Sequence, residues 1–258
     1  FLTDSIGWKG IFIVLLILGV LLLFSNLHFK ESLSVDNRKR GNLKSLVSGF
    51  GIVLKNRRYV YYVLQMGFAM GVLFANISSS PFIVQQHYGF SAFEFSLFFG
   101  INALAIGLAA GLSVKFKNPE HAMFLGSVGM TMMSAVEFVI LSNEYHFAVY
   151  EAVLFVLLFS MGLTFTASTT LAMDCERANS GTASALFGAA GFAFGGIVSP
   201  LVGLGDILST TGLIFFVCSV CSLCFSVLAM NQTHTNLWGS FKCKMGPVTR
   251  FVFLRREK

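Results

Sequence analysis

Ile11-Phe-Ile-Val-Leu-Leu-Ile-Leu-Gly-Val-Leu-Leu-Leu-Phe24 carries no charged or polar side chain, and Lys30, Arg38, Lys39 and Arg40 follow it closely. An uncharged run with Lys and Arg beyond its end reads as a membrane helix anchored at one face of the bilayer. At its limits the run covers Trp8–Phe29. Six more follow it, over Tyr59–Phe82, Phe95–Val114, Ala122–Ser142, Phe147–Met173, Thr182–Leu204 and Thr211–Met230. Each is near or above the roughly 20 residues that a helix needs to cross a hydrocarbon core of about 30 Å. With the segment after Phe29 on the cytoplasmic side, alternation brings Lys55, Arg57, Arg58, Lys115, Lys117, Arg177 and the tail from Lys242 to Lys258 to that side too. Of the 18 Lys and Arg residues only Lys9 falls on the other side, where Asp4, Glu94, Glu144 and Asp206 lie in or beside the turns. This is the positive-inside asymmetry of a polytopic protein. The reading is an all-α membrane protein of seven transmembrane helices, with the C-terminus cytoplasmic.

Composition agrees. A mean hydropathy of +0.75, 29 Phe and 12% charged residues do not suit a soluble domain, which carries about 25% charged residues. The net charge of +6 sits at helix ends, which points to anionic lipid headgroups rather than to nucleic acid. Cys218, Cys221 and Cys224 have metal-like spacing. They lie inside an apolar helix that turns them progressively apart, so they read as packing residues. The His residues are scattered at helix ends. No metal, cofactor or catalytic constellation is expected, and the chain is not read as an enzyme.

The long polar stretch Lys30–Arg58 separates the first helix from a block of six. Within it Leu43, Leu46, Val47, Phe50, Val53 and Leu54 recur at helical spacing. They suggest an amphipathic helix on the cytoplasmic leaflet, with an extended linker as the alternative because Gly49 and Gly51 weaken a helix. The other connections are short, which predicts that consecutive helices are antiparallel neighbours. Residues 231–258 read as a basic cytoplasmic tail resting on the membrane. Ser184, Gly188, Gly191, Gly195 and Ser199 form a small-residue stripe, as do Ala103, Gly107 and Gly111. Such stripes let helices approach closely, either as static packing or as sliding contacts. Pro81 and Pro200, near helix ends, relax the backbone bonding there.

Polar side chains at mid-depth face protein or a water-filled cavity. Asn102 is central in its run and either bonds a neighbouring helix or lines a substrate cavity. Gln65, Asn76 and Ser79 share a face, next to Met66, Met70 and Phe74; flexible Met and flat Phe beside a few amides suit dissimilar lipophilic ligands, though ordinary packing would serve equally. Thr164 and Ser168 repeat with Ser160 at every fourth residue and can also bond their own helix. Glu137 and Glu151 flank the Asn143–His146 turn at a common depth. Either they reach the outer headgroup region or they meet and form a protonatable pair.

Several stretches also resemble a known family. Gly67-Phe-Ala-Met-Gly-Val-Leu-Phe74 with Ser78-Ser-Ser-Pro81-Phe82 resembles the seventh helix of Bcr/CflA-type multidrug efflux proteins of the major facilitator superfamily. Phe99-Gly-Ile-Asn-Ala-Leu104 resembles the eighth helix, and Ser180-Gly-Thr-Ala-Ser-Ala-Leu186 with Val198-Ser-Pro-Leu-Val-Gly203 the eleventh. Gly7-Trp-Lys-Gly-Ile-Phe12 resembles the start of the sixth. The chain departs from the family at Cys175–Ser180, where a Phe-Pro-His-like turn is usual, and at Ala167, where Asn is frequent. The resemblance implies that residues 1–29 are the last helix of an N-terminal half, 30–58 the central loop and 59–230 the C-terminal six-helix half. It further implies a proton-coupled exporter of drugs or small metabolites in an inner (plasma) membrane. The partners would be the bilayer, small lipophilic or metabolite substrates, protons, and the missing N-terminal helices in the same or a separate chain. The alternative is a truncated or split membrane subunit without transport activity of its own.

Overall fold

The computed structural model describes residues 2–28 and 43–244, with side chains at 7, 9–28 and 48–232. Residues 30–42 of the expected central loop and 245–258 of the expected tail lie outside the described residues. The described chain is helical without strands, and seven of its helices are long and apolar enough to cross a membrane.

The chain forms two units, 1–45 and 46–258. The first holds α1 (Leu2–Leu27), which bends where Gly7 takes φ +69°. From Phe12 onward its apolar side chains are largely exposed, as lipid-facing residues are.

The second unit begins within α2 (Leu43–Leu54), so the stretch read as helix or linker is helical. Val53 is buried with Tyr59, Tyr62 and Ala183, whereas Ile52 and Leu54 are exposed. Six long helices follow: α3 (Arg57–Pro81), α4 (Ala92–Ser113), α5 (Pro119–Ser142), α6 (Phe147–Cys175), α7 (Ser180–Leu201) and α8 (Ile207–Lys244). Their starts are specified locally. Asn56 caps α3 by accepting from the Tyr59 amide at 3.4 Å. Ser91 and Glu94 form a reciprocal capping box on α4. Pro119 stands in the first turn of α5, where its missing N–H costs nothing. Asp206 accepts from the Ser209 amide at 2.9 Å ahead of α8, and that bond holds its carboxyl below the usual range. Pro81 does not end its helix: the chain widens into a π turn over Phe82–His87, and a 3₁₀ turn over Val202–Leu204 follows Pro200. The last helix overruns its expected end at Met230 and continues to Lys244, so part of the expected tail is helix.

One expectation is overturned. Among the six, consecutive helices are mostly not neighbours; α5 and α6 pack extensively, but α3 with α4, α4 with α5, and α7 with α8 scarcely touch. The packed pairs are α4–α6, α6–α3 and α3–α7 in one row, with α5 and α8 behind against α6 and α3 and against each other. Even a four-residue connection spans about 13 Å when extended, enough to pass beyond the adjacent position. Loop length fixed direction and left adjacency open.

The ends of this bundle differ. Arg58 pairs with Glu120 at 2.9 Å, Asn56 bonds Glu176 at 2.8 Å and the Tyr59 hydroxyl donates to the Ala183 carbonyl at 2.6 Å. These contacts tie the starts of α3, α5 and α7 at the basic end.

Candidate functional site

At the opposite end, polar side chains from four helices gather as two hydrogen-bonded sets and one unpartnered carboxyl. Asn102 Nδ2 donates to Glu151 Oε1 at 2.9 Å, joining α4 to α6. Tyr150, one residue earlier, is enclosed, and its hydroxyl meets that of Ser80 on α3. Ser80 Oγ in turn donates to Asn76 Oδ1 at 2.7 Å. Glu137 on α5 lies within electrostatic range of Glu151, Tyr150 and Tyr88. Tyr88, just past the π turn, packs its ring on Phe147 and Tyr150 and donates to the Tyr145 carbonyl at 2.9 Å. Burial is the main cause that pushes its phenol up, and the Glu144 carboxylate adds to it, so it remains a donor at neutral pH.

Glu137 is enclosed by protein rather than exposed at the bundle surface. It is 0% exposed, and neither carboxyl oxygen has a hydrogen-bond partner among the described residues. The register of α5 turns it toward α6. Glu151 is half-buried, with Oε2 enclosed and unpartnered, as is Asn102 Oδ1. Four of the residues singled out in the sequence, Asn76, Asn102, Glu137 and Glu151, thus come together. Ser80 and Tyr150, which link them, were missed; the only signal was Tyr150 standing beside a carboxylate in an apolar run.

Gln65, Thr164 and Ser168, read as cavity candidates, turn the other way. Gln65 Nε2 donates to Ser222 Oγ at 3.0 Å, Ser168 Oγ donates to Gln65 Oε1, and Ser222 Oγ donates to the Gln65 carbonyl. Thr164 Oγ1 lies 3.5 Å from the Met123 carbonyl and 3.3 Å from that of Ser160. All three are 0% exposed and join α3 and α6 to α5 and α8. In lipid, where apolar burial gives helices little drive to associate, such bonds hold a bundle together. Gln65→Leu is expected to lower stability by about 1–2 kcal/mol, read as a lower midpoint of thermal unfolding in detergent; an unchanged midpoint contradicts the structural role.

Met66 is likewise buried, between α3 and the bundle interior. Met70 and Phe74 are only partly buried and lie at the α3–α7 seam, against Gly191 and Gly195. Phe74 also meets exposed Phe192 edge-on, centroids 5.9 Å apart. The α7 stripe is therefore split. Gly191 and Gly195 pack closely, whereas Ser184 and Gly188 are exposed, and a side chain on Gly188, Gly107 or Gly111 would meet nothing within 4 Å among the described residues. Gly191 and Gly195 face side chains of α3, whereas the glycines that face backbone of a neighbouring helix are ones the stripes did not include. At Gly126 a Cβ would stand 2.6 Å from the Ser160 carbonyl, and at Gly162 2.5 Å from that of Ile106.

Residues 1–200 match the sequence profile of the Major Facilitator Superfamily. A Bacillus subtilis (strain 168) protein named "Uncharacterized MFS-type transporter YdgK" is 35% identical over 235 residues, which cover 89% of this chain and 58% of that relative. The chain thus spans just under three fifths of the length of the curated relative it matches. With seven apolar helices and a family match over most of its residues, this chain belongs to the Major Facilitator Superfamily and is a multi-pass membrane protein.

Proposed function

We propose that this chain supplies the C-terminal portion of a proton-coupled secondary transporter that exports drugs or small lipophilic metabolites by alternating access across a plasma (inner) membrane. The observation that carries this reading is the Asn102–Glu151–Glu137 network. Its carboxyls lie inside an apolar bundle that has cheaper ways of packing. Transporters of this architecture rock two halves about a midplane site, and α4, α6, α3 and α7 form the row of helices suited to face the other half. Partly exposed Met70 and Phe74 and exposed Phe192 at the α3–α7 seam offer adaptable apolar surface to dissimilar substrates, with the Asn76 amide on α3 and the Asn102 amide on α4 as the polar groups. The match over 58% of the relative favours function together with further helices, in the same or a separate chain. The residues themselves resemble the Bcr/CflA-type multidrug subfamily.

The test uses Asn102→Ala and Asn76→Ala in the full-length protein, with efflux of several compounds normalised to membrane abundance. A substrate-facing amide serves only ligands able to pair with it, so a changed substrate ranking is expected. The size should be about 2–13-fold in apparent affinity, the equivalent of one hydrogen bond of roughly 0.5–1.5 kcal/mol. A uniform loss that tracks abundance would assign both amides to structure alone.

A further inference from the structure

The unpartnered atoms of the network share one property. Asn102 Oδ1, Glu137 Oε1 and Oε2, and Glu151 Oε2 are all acceptors when the carboxyls are ionised, all are buried, and none receives a proton donor. Nor is a buried cation at hand among the described residues. The groups within electrostatic range of Glu137 are Glu151 and Tyr150 on α6 and Tyr88 after α3, with Glu144 beyond them. From α8, packed against α5, come Asp206 at its start, with exposed His87 near it, and Cys218 beside Gly71; none of these is a buried positive charge. Two ionised carboxylates sealed here would be an uncompensated double charge, which proteins avoid by protonating one of them.

The two carboxyls are not equivalent. Glu151 accepts from the Asn102 amide at 2.9 Å and is only half-buried, whereas Glu137 is wholly enclosed and has no donor. We propose that Glu137 is a proton-binding site, neutral in the conformation seen here, while Glu151, steadied by Asn102, carries the negative charge. Conformation and proton occupancy are then linked. When the helices part around Tyr88 and Tyr150 and water reaches Glu137, its O–H bond breaks, the proton passes to water and a solvated carboxylate remains. Closure requires the reverse, because a carboxylate sealed without a donor is strongly disfavoured. This deepens the proton-coupled reading above by naming the group in this half of the protein that takes up and returns the proton.

Infrared difference spectroscopy of the full-length protein in lipid, at neutral pH, tests the assignment through the C=O stretch of protonated carboxyls. The band is expected in wild type, absent from E137Q and retained in E151Q. A band that survives E137Q, or one that disappears in E151Q instead, overturns the proposal. If E137Q does not accumulate, Glu137→Asp keeps an acid at the site and should shift the band; an unshifted band overturns it. Proton-driven efflux is scored separately. Loss of the band with normal efflux supports the site and overturns its part in the coupling.

Discussion

Gly162→Ala should leave little folded protein in the membrane. The new Cβ would stand 2.5 Å from the Ile106 carbonyl oxygen, 2.9 Å from Ala109 Cβ and 3.0 Å from Ile106 Cα. Two of these atoms belong to the backbone of α4, so no rotamer change makes room, and α4 must withdraw from α6. That crossing is the main support of α4, which touches little else in the bundle. Overpacking a well-fitted contact costs about 1–3 kcal/mol even where side chains can adjust; with backbone on the far side, about 3 kcal/mol or more is expected. This is a large part of the 5–15 kcal/mol that separates typical folded and unfolded states. The withdrawal also pulls on the Asn102–Glu151 bond in the same interface, since Asn102 stands about one turn of α4 from Ile106. Gly107→Ala and Gly111→Ala on the same helix face open space and should change stability by less than about 0.5 kcal/mol. Membrane abundance and thermal unfolding of the three variants check this. A stable Gly162→Ala protein, or equal losses at all three positions, would refute the packing seen here.

That contrast also marks where the sequence stops being informative. The seven spans, their directions and the class follow from hydrophobic length and from the placement of Lys and Arg, because the bilayer imposes both on any chain that crosses it. Which face of each helix meets which neighbour is not imposed by the bilayer. Gly107 and Gly111 share spacing with truly packed glycines, yet they stand on an open face of the described chain, while isolated Gly126 and Gly162 make the close crossings. In the same way, Gln65 and Asn76 lie on one helix and both are buried amides. One is bonded into the Ser168–Ser222 hub and the other into the Ser80–Tyr150 chain. Polarity at depth identified both as facing either protein or a cavity, but the choice between them is settled by α3 packing between α6, α7 and α8, a long-range fact absent from local sequence. The two carboxylates were legible as a pair through their symmetric distance from one turn. The burial of Glu137 was not, because a one-residue change in helix register moves a side chain by about 100° and decides between headgroups and interior.

Asn102→Ala and Glu151→Ala are expected to be strongly non-additive in stability. Either change alone strands its partner. Without Glu151, Asn102 Nδ2 loses its acceptor while Oδ1 is already unpartnered; without Asn102, the Glu151 carboxyl loses its side-chain donor among the described residues. Together the two changes remove both halves of the problem, so the double variant should be far less impaired than the sum of the singles. A hydrogen bond to a charged group contributes about 1.5–3 kcal/mol, and the coupling measured by a double-mutant cycle should fall in that range, or roughly 10–150-fold in an unfolding equilibrium constant. Glu137 gives a contrasting expectation within the same network. It strands no hydrogen-bond partner when removed, since none among the described residues reaches it, so a cycle of Glu137→Ala with Asn102→Ala should show a smaller coupling than the 102–151 cycle, passed only through their shared neighbour Glu151. Stability therefore accounts for the Asn102–Glu151 pair but offers no reason for a carboxyl at 137, where an apolar side chain of similar volume would pack at least as well. Denaturant unfolding of the purified protein in detergent supplies both cycles. Additive losses at 102 and 151 would mean that the bond between α4 and α6 contributes nothing, and would remove the asymmetry that assigns the proton to Glu137.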